Sequence, residues 1–176
     1  MRLRNLTAAL TATAALGLGL AAFSGTANAG TGGDPAASSA PACDTSALDI
    51  SFDRKAIYSA PGEQIPVIVH MANTSDATCT LQGFPTVDLT DGTDTWPLAH
   101  SSGAENQVAV TPGKSAQFVI TYISWAEGSG TEFKATSAVI TPPGATTSVT
   151  LPWPGSSILD QSGATHSGTY VSPVTA

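Results

Sequence analysis

The three tryptophans of this 176-residue chain, Trp96, Trp125 and Trp153, are the side chains most suited to binding a ligand. A flat indole on the face of a β-sheet can stack against a sugar ring, and an acidic module can bind a polysaccharide in this way. However, Trp125 and Trp153 each end an apolar run, where packing in or beside a core is the ordinary role of the residue. Ligand stacking and core packing therefore both stay open for these positions.

The three histidines form no metal-binding or catalytic motif. His70, His100 and His166 are too widely spaced for an H-x-H or H-E-x-x-H pattern, which would place two imidazoles on one metal ion. The chain also contains no G-x-S-x-G, the turn that presents a nucleophilic serine in many hydrolases. A triad assembled by folding stays an alternative because serine and aspartate are scattered along the chain. The sequence itself predicts no catalytic, cofactor-binding or metal-binding residues.

Three aspartates, Asp88, Asp91 and Asp94, recur at every third position around Gly92. Calcium loops use a denser set of oxygen ligands and end in a glutamate, which this segment lacks. An Asp-Gly pair is typical of a tight turn between two strands. The sequence therefore predicts a solvated hairpin tip here rather than a calcium site.

The two cysteines, Cys43 and Cys79, can form one disulfide bond if the chain reaches an oxidising compartment. The bond would close a loop of 36 residues, and the chain-entropy model assigns such a loop about 3–4 kcal/mol of stability. A redox-active pair is more often C-x-x-C near a helix. We therefore expect a structural disulfide that joins the start of the folded domain to an early hairpin.

The first 29 residues have the pattern of a secretory signal peptide. Arg2 and Arg4 precede an apolar run at 6–23, and Ala27-Asn28-Ala29 matches a cleavage signature that places the cut between Ala29 and Gly30. A membrane anchor is the rival interpretation, but the run is rich in alanine and interrupted by threonine and glycine, which insert poorly. The sequence predicts a secreted, extracellular protein with no stable membrane insertion after cleavage.

The charge of the chain argues against nucleic-acid binding. The formal net charge is −7, and two of the six basic residues, Arg2 and Arg4, lie in the predicted signal peptide. Such an acidic surface repels phosphate backbones. Residues 30–42, GTGGDPAASSAPA, contain nothing to bury and are expected to form a flexible linker. The predicted folded domain then spans residues 43–174.

From Cys43 onward, apolar residues alternate with a period of two, and no segment shows a sustained helical period. Twelve prolines and seventeen glycines separate the runs. This pattern predicts an all-β chain, specifically an immunoglobulin-like β-sandwich of about seven to nine strands. The longest strand is expected at 116–125 and should be central because both of its faces are apolar. Further strands are expected at 48–52, 65–71, 79–81, 87–89, 96–98, 108–110, 133–141 and 148–153, and residues 169–171 could close the sheet.

Four short motifs resemble those of the DUF4232 family, exported domains found largely in actinobacteria. They are Asn73-Thr74-Ser75, Cys79-Thr80-Leu81-Gln82-Gly83-Phe84-Pro85, Val110-Thr111-Pro112-Gly113 and Val171-Ser172-Pro173-Val174. The resemblance extends over residues 43–174. It implies a domain of unknown function, with no activity, cofactor or catalytic residue to carry over to this chain.

Taken together, these features predict a secreted, non-enzymatic β-sandwich that acts as an interaction or cell-envelope accessory module. Its partner would be an unknown protein or a cell-wall polysaccharide. Two alternatives stay open: a carbohydrate-binding module that uses exposed tryptophans, and a hydrolase with an unrecognised site. Coplanar exposed indoles would favour the first alternative, and a cleft with serine or aspartate beside His100 would favour the second.

Overall fold

The computed structural model describes residues 40–53, 60 and 62–176. The predicted signal peptide at 1–29, with its cleavage site between Ala29 and Gly30, lies outside the described residues. So does the 30–39 part of the predicted linker.

The last three linker positions are described, and they pair with the domain. Ala42 forms a parallel bridge with Thr80. The Thr80 N–H donates to the carbonyl oxygen of Pro41 over 2.8 Å. Backbone pairing of the domain therefore begins before Cys43, slightly earlier than composition indicated.

Within the described residues the chain forms thirteen β-strands, nine of them three residues or longer, and no α-helix. One 3₁₀ turn lies at Thr45–Ala47. The prediction of an all-β chain is confirmed. The strands are β1 (Leu48–Phe52), β2 (Gln64–Asn73), β3 (Cys79–Gln82), β4 (Thr86–Thr90), β5 (Thr95–Pro97), β6 (Ala99–His100), β7 (Gln107–Val110), β8 (Ser115–Ile123), β9 (Glu132–Phe133), β10 (Ser137–Thr141), β11 (Val149–Pro152), β12 (Ile158–Leu159) and β13 (Tyr170–Val171).

Two main sheets enclose the core. The five-stranded sheet has the order β1-β2-β8-β13-β6, and the four-stranded sheet has the order β11-β10-β4-β5. Two smaller pairs, β12-β9 and β3-β7, accompany them. The pairings between these strands are all antiparallel except that of β13 with β6. Alternate residues of both main sheets enter one buried apolar cluster, as a β-sandwich requires.

The centre of the five-stranded sheet is the long pairing of β2 with β8, which confirms that β8 is a central strand. On one face of this pair, Val69, Met71, Phe118 and Ile120 are fully buried. The expectation that β8 would be the longest strand was wrong, because β2 has ten residues and β8 has nine. Among the described residues, β2 pairs with β1 as far as Val69 and the Asp53 N–H donates to the carbonyl oxygen of Ile68, so the described ladder ends before Pro66.

The predicted strand at 133–141 is in fact two strands in different sheets. Phe133 in β9 pairs with Ile158 in β12, whereas β10 pairs with β4 and β11. The change of sheet buries the Phe133 ring against Trp96, with ring centroids 5.6 Å apart. β12 itself lies in the Gly/Ser-rich stretch where no strand was expected. The alternation of apolar and polar residues along one segment does not reveal the point at which the chain leaves one sheet and enters another.

Candidate functional site

Cys43 and Cys79 form a disulfide bond, as the sequence predicted. Both residues are buried, and the Cys43 N–H donates to the carbonyl oxygen of Thr80 over 2.9 Å. The bond thus joins the first described residues of the chain to β3. Its burial beside a regular backbone pairing indicates a structural role rather than a redox site.

Two of the three tryptophans are core residues, which corrects the hypothesis that they could stack on a ligand. Trp96 is 5% exposed and Trp153 is 9% exposed. Trp96 packs edge-on against Phe133. Trp153 packs edge-on against Tyr122, with centroids 5.3 Å apart, and its Nε1 donates to the carbonyl oxygen of Ser156. Neither indole offers a free face, because both are buried.

Trp125, two residues after the end of β8, is the tryptophan with a partly exposed side chain. Its Nε1 donates to the carbonyl oxygen of Gly130 over 2.9 Å. Its backbone N–H donates to the carbonyl oxygen of Ser157 over 2.9 Å. These two bonds hold the indole against the 126–131 loop and the chain that leads into β12.

A shallow cleft, largely open to solvent and with a volume of about 420 Å³, lies between the 126–131 loop and the chain from Leu159 onward. This volume is within the range of about 300–1,000 Å³ that small-ligand sites occupy. We call it the loop cleft. Its lining consists of Ser129, Gly130, Thr131, Leu159, Asp160, Gln161, Ser162, Gly163 and Ala164.

Hydrogen bonds within the loops hold the polar side chains of the loop cleft in place. One carboxylate oxygen of Asp160, Oδ1, accepts from the Ser162 N–H over 2.9 Å. The Gln161 carbonyl oxygen, Oε1, accepts from the Gly168 N–H over 2.9 Å. Across the cleft, the Asp160 N–H donates to the carbonyl oxygen of Thr131. The loops are therefore preorganised, which lowers the entropy that binding would cost.

The side chains of Asp160 and Gln161 each have one further polar group that is available to a ligand. Among the described residues, no hydrogen bond engages the second carboxylate oxygen of Asp160 or the amide nitrogen of Gln161. The cleft thus combines a charged acceptor with a neutral donor, and Leu159 supplies apolar surface. Of the described residues that line it, none is lysine, arginine or histidine. Such a lining suits a neutral ligand with hydroxyl groups, because each hydroxyl both donates and accepts.

In the described part of the chain, no hydrogen bond joins a histidine side chain to a serine or an acidic residue, although Ser51 lies opposite His70 in the β1–β2 register. His100 stacks on Phe84, with ring centroids 4.5 Å apart and planes 6° from parallel. His70 lies in β2, and His166 is exposed in the loop before β13. Over residues 40–53, 60 and 62–176, no cluster of three or more histidine, cysteine, aspartate or glutamate side chains could hold a metal ion.

The aspartate triplet lies on the β4–β5 hairpin, as predicted. Asp88 is within β4, and Asp91 begins the turn that joins β4 to β5. The Asp91 carboxylate accepts from the N–H groups of Asp94 and Thr93, both over 2.8 Å. Both bonds lower the pKa of Asp91 from its usual value, and the bond from the Asp94 N–H has the larger effect.

Sequence reasoning missed Asp160 and Gln161. Both lie in the Gly/Ser-rich stretch at 154–168, where no strand was expected. The one available signal was the apolar pair Ile158-Leu159, which forms β12 and anchors the loop. Ile158 is fully buried.

Comparison with protein-family models matches residues 43–175 to a domain of unknown function, DUF4232. No curated protein and no solved structure gives a significant match to the chain. In the part of the chain that the structure describes, no helix has the length and apolar character needed to cross a bilayer.

Proposed function

Since this chain belongs to the DUF4232 family, a domain of unknown function, we propose that it is an exported, non-enzymatic binding module that holds a neutral carbohydrate of the cell envelope in the loop cleft. The observation that supports this proposal most directly is that the second carboxylate oxygen of Asp160 and the amide nitrogen of Gln161 have no hydrogen-bond partner among the described residues. The module would present this cleft on a rigid sandwich and would perform no covalent chemistry.

Two features support export. Residues 1–29 have the composition and cleavage pattern of a signal peptide. The disulfide between Cys43 and Cys79 is of the kind that persists where thiols are oxidised. An envelope location would also bring the module to the polysaccharides that it is proposed to bind.

The chemistry of the cleft favours a carbohydrate over an anionic ligand. A carboxylate can accept hydrogen bonds from two neighbouring hydroxyls of one sugar ring, and the Gln161 amide nitrogen can donate to a third oxygen. A phosphate or carboxylate ligand would be repelled by Asp160 and would find no cation among the described lining residues. The Leu159 side chain can contact the C–H face of a ring.

Isosteric substitutions separate ligand binding from loop folding. Asp160→Asn retains an oxygen for the Ser162 N–H but replaces the unused oxygen by an amide. Gln161→Glu retains an oxygen for the Gly168 N–H but removes the unused donor. Hydrogen bonds to charged groups contribute about 1.5–3 kcal/mol. Asp160→Asn should therefore weaken binding by about tenfold or more, whereas Gln161→Glu removes a neutral hydrogen bond of about 0.5–1.5 kcal/mol and should weaken binding by about two- to tenfold.

The measurement is a titration with neutral cell-wall oligosaccharides, followed by calorimetry and by Trp125 fluorescence. Asp91→Asn is the matched control, because it makes the same change in a turn outside the cleft lining. Absence of binding to every neutral glycan tested would refute the carbohydrate assignment. Release of new reducing ends from a bound glycan would refute the non-enzymatic assignment instead.

A further inference from the structure

Trp125 is hydrogen-bonded to both sides of the loop cleft, although it is not one of the lining residues. Its indole Nε1 donates to the carbonyl oxygen of Gly130, which lies in one wall. Its backbone N–H donates to the carbonyl oxygen of Ser157, two residues before Leu159 in the opposite wall. A single residue therefore connects the 126–131 loop to the chain on the other side of the cleft.

The wall that begins at Leu159 is attached firmly to the sandwich. Ile158, the residue before it, is fully buried. Ile158 pairs with Phe133 in β9 and forms an antiparallel bridge with Ser124. In the opposite wall, residues 127–131 are all exposed. The position of that loop therefore depends on individual hydrogen bonds rather than on packing in the core.

The other hydrogen bonds of the loop lie at its two ends. The Ser129 N–H and hydroxyl both donate to the carbonyl oxygen of Ala126, inside the loop. At the far end, the Asp160 N–H donates to the carbonyl oxygen of Thr131. The bond from the Trp125 indole secures the segment between these two points, at Gly130.

Gly130 is also the point at which the loop approaches the opposite wall closely. A Cβ atom at this position would lie 3.0 Å from Leu159 Cδ1, closer than an ordinary van der Waals contact. The φ of Gly130 is 135°, in a region that residues with a side chain rarely adopt. A small displacement of Gly130 therefore changes the space between the two walls.

We propose that Trp125 is a positioning residue for the ligand of the loop cleft, because its two hydrogen bonds hold the 126–131 loop at a fixed separation from Leu159. This role rests on the proposed carbohydrate-binding function. Without the indole donor, the loop would sample other positions, and a ligand would have to restrict it again at a cost in conformational entropy. Affinity should therefore fall although every lining residue is retained.

Two replacements of Trp125 separate the indole donor from the bulk of the ring. Trp125→Phe removes the N–H and part of the ring, whereas the benzothiophene analogue of tryptophan replaces the N–H by sulfur and keeps the shape. Each should weaken the binding of neutral cell-wall oligosaccharides by about two- to tenfold, the range for one neutral hydrogen bond. The same analogue at Trp96 is the matched control, because Trp96 packs against Phe133 and does not line the cleft.

Hydrogen exchange in the free, disulfide-bonded protein tests the role of Trp125 without any ligand. Exchange of the Ser129 N–H reports opening of the loop, since this group is bonded to Ala126. We expect exchange about two- to tenfold faster in both Trp125 variants than in the wild type and the Trp96 control. The midpoint of urea unfolding should be nearly unchanged, whereas a purely structural role would lower it and speed exchange throughout the sheets.

Unchanged exchange at Ser129 in both Trp125 variants would overturn the proposal, and so would faster exchange with unchanged glycan affinity. If Trp125→Phe does not fold, the benzothiophene variant decides. A wild type that binds no glycan would refute the proposed function instead, and faster exchange in the variants would then still support Trp125 as the residue that positions the loop.

Discussion

The side-chain amide of Asn73 donates to the carbonyl oxygen of Val110 over 2.8 Å, and this bond ties the end of β2 to the end of β7. The same nitrogen also donates to the carbonyl oxygen of Ala77 over 2.8 Å, and the amide oxygen accepts from the N–H of Ser75. Asn73 is 1% exposed. Its N-T-S motif therefore serves the fold, since every polar atom of the side chain is used inside the protein.

Asn73→Asp should destabilise the domain strongly. The change keeps an acceptor for Ser75 but removes both donated bonds, and it places a carboxylate beside two carbonyl oxygens. Unsatisfied buried groups and unpaired buried charges together predict a loss of about 2–4 kcal/mol. Urea unfolding measures the change. Asn106→Asp is the control, because Asn106 is exposed, and it should stay within about 0.5 kcal/mol of the wild type.

Removing the disulfide should lower stability without changing the fold. The double variant Cys43→Ser with Cys79→Ser opens a 36-residue loop, and the free energy of unfolding should fall by about 3–4 kcal/mol. Denaturant unfolding of the variant and the oxidised wild type provides the comparison. Mass spectrometry should find no free thiol in the wild type. A variant as stable as the wild type would show that the backbone bonds of Pro41 and Cys43 to Thr80 secure the amino end without the disulfide.

Tryptophan fluorescence should separate Trp125 from the two core indoles. A polar quencher such as iodide reaches exposed rings and is excluded from packed ones. We expect one partly quenched component and two protected ones, because Trp96 and Trp153 are buried. Trp125→Phe should remove the quenched component, whereas Trp96→Phe should leave it unchanged. Substantial quenching that survives in Trp125→Phe would contradict the packing described for Trp96 and Trp153.

Acidification should remove the contribution of two capping carboxylates. The N–H of Ser46, and secondarily its hydroxyl, lowers the pKa of Asp44, as the N–H groups of Asp94 and Thr93 do for Asp91. Both pKa values lie below the ordinary 3.8 in the folded protein. The stabilisation is therefore present above that ordinary value and is lost as pH falls through the folded pKa. Carboxyl carbon NMR measures both midpoints, and a midpoint above 3.8 for either residue would contradict this prediction.

Much of the fold could be predicted from the properties of short segments of the sequence. The alternation in β2 predicted which of its residues are buried, because successive side chains of a strand point to opposite faces. Two cysteines allow only one intramolecular pair, so an oxidising compartment was enough to predict the bond between Cys43 and Cys79. The turn at Asp91-Gly92 was predicted from its own residues, and Gly92 adopts a positive φ of 100°.

What the sequence by itself determined, then, was an all-β domain with one disulfide, because strand periodicity, turn residues and cysteine number are properties of short segments. Tertiary structure alone decided that Trp96 lies in the core and that Trp125 bonds to Gly130 of the 126–131 loop. It also decided that Asp160 pairs with Thr131 of the 126–131 loop. The physical reason is that a side chain's partners come from pairing between distant strands, and the period-two pattern is the same whichever strand lies alongside.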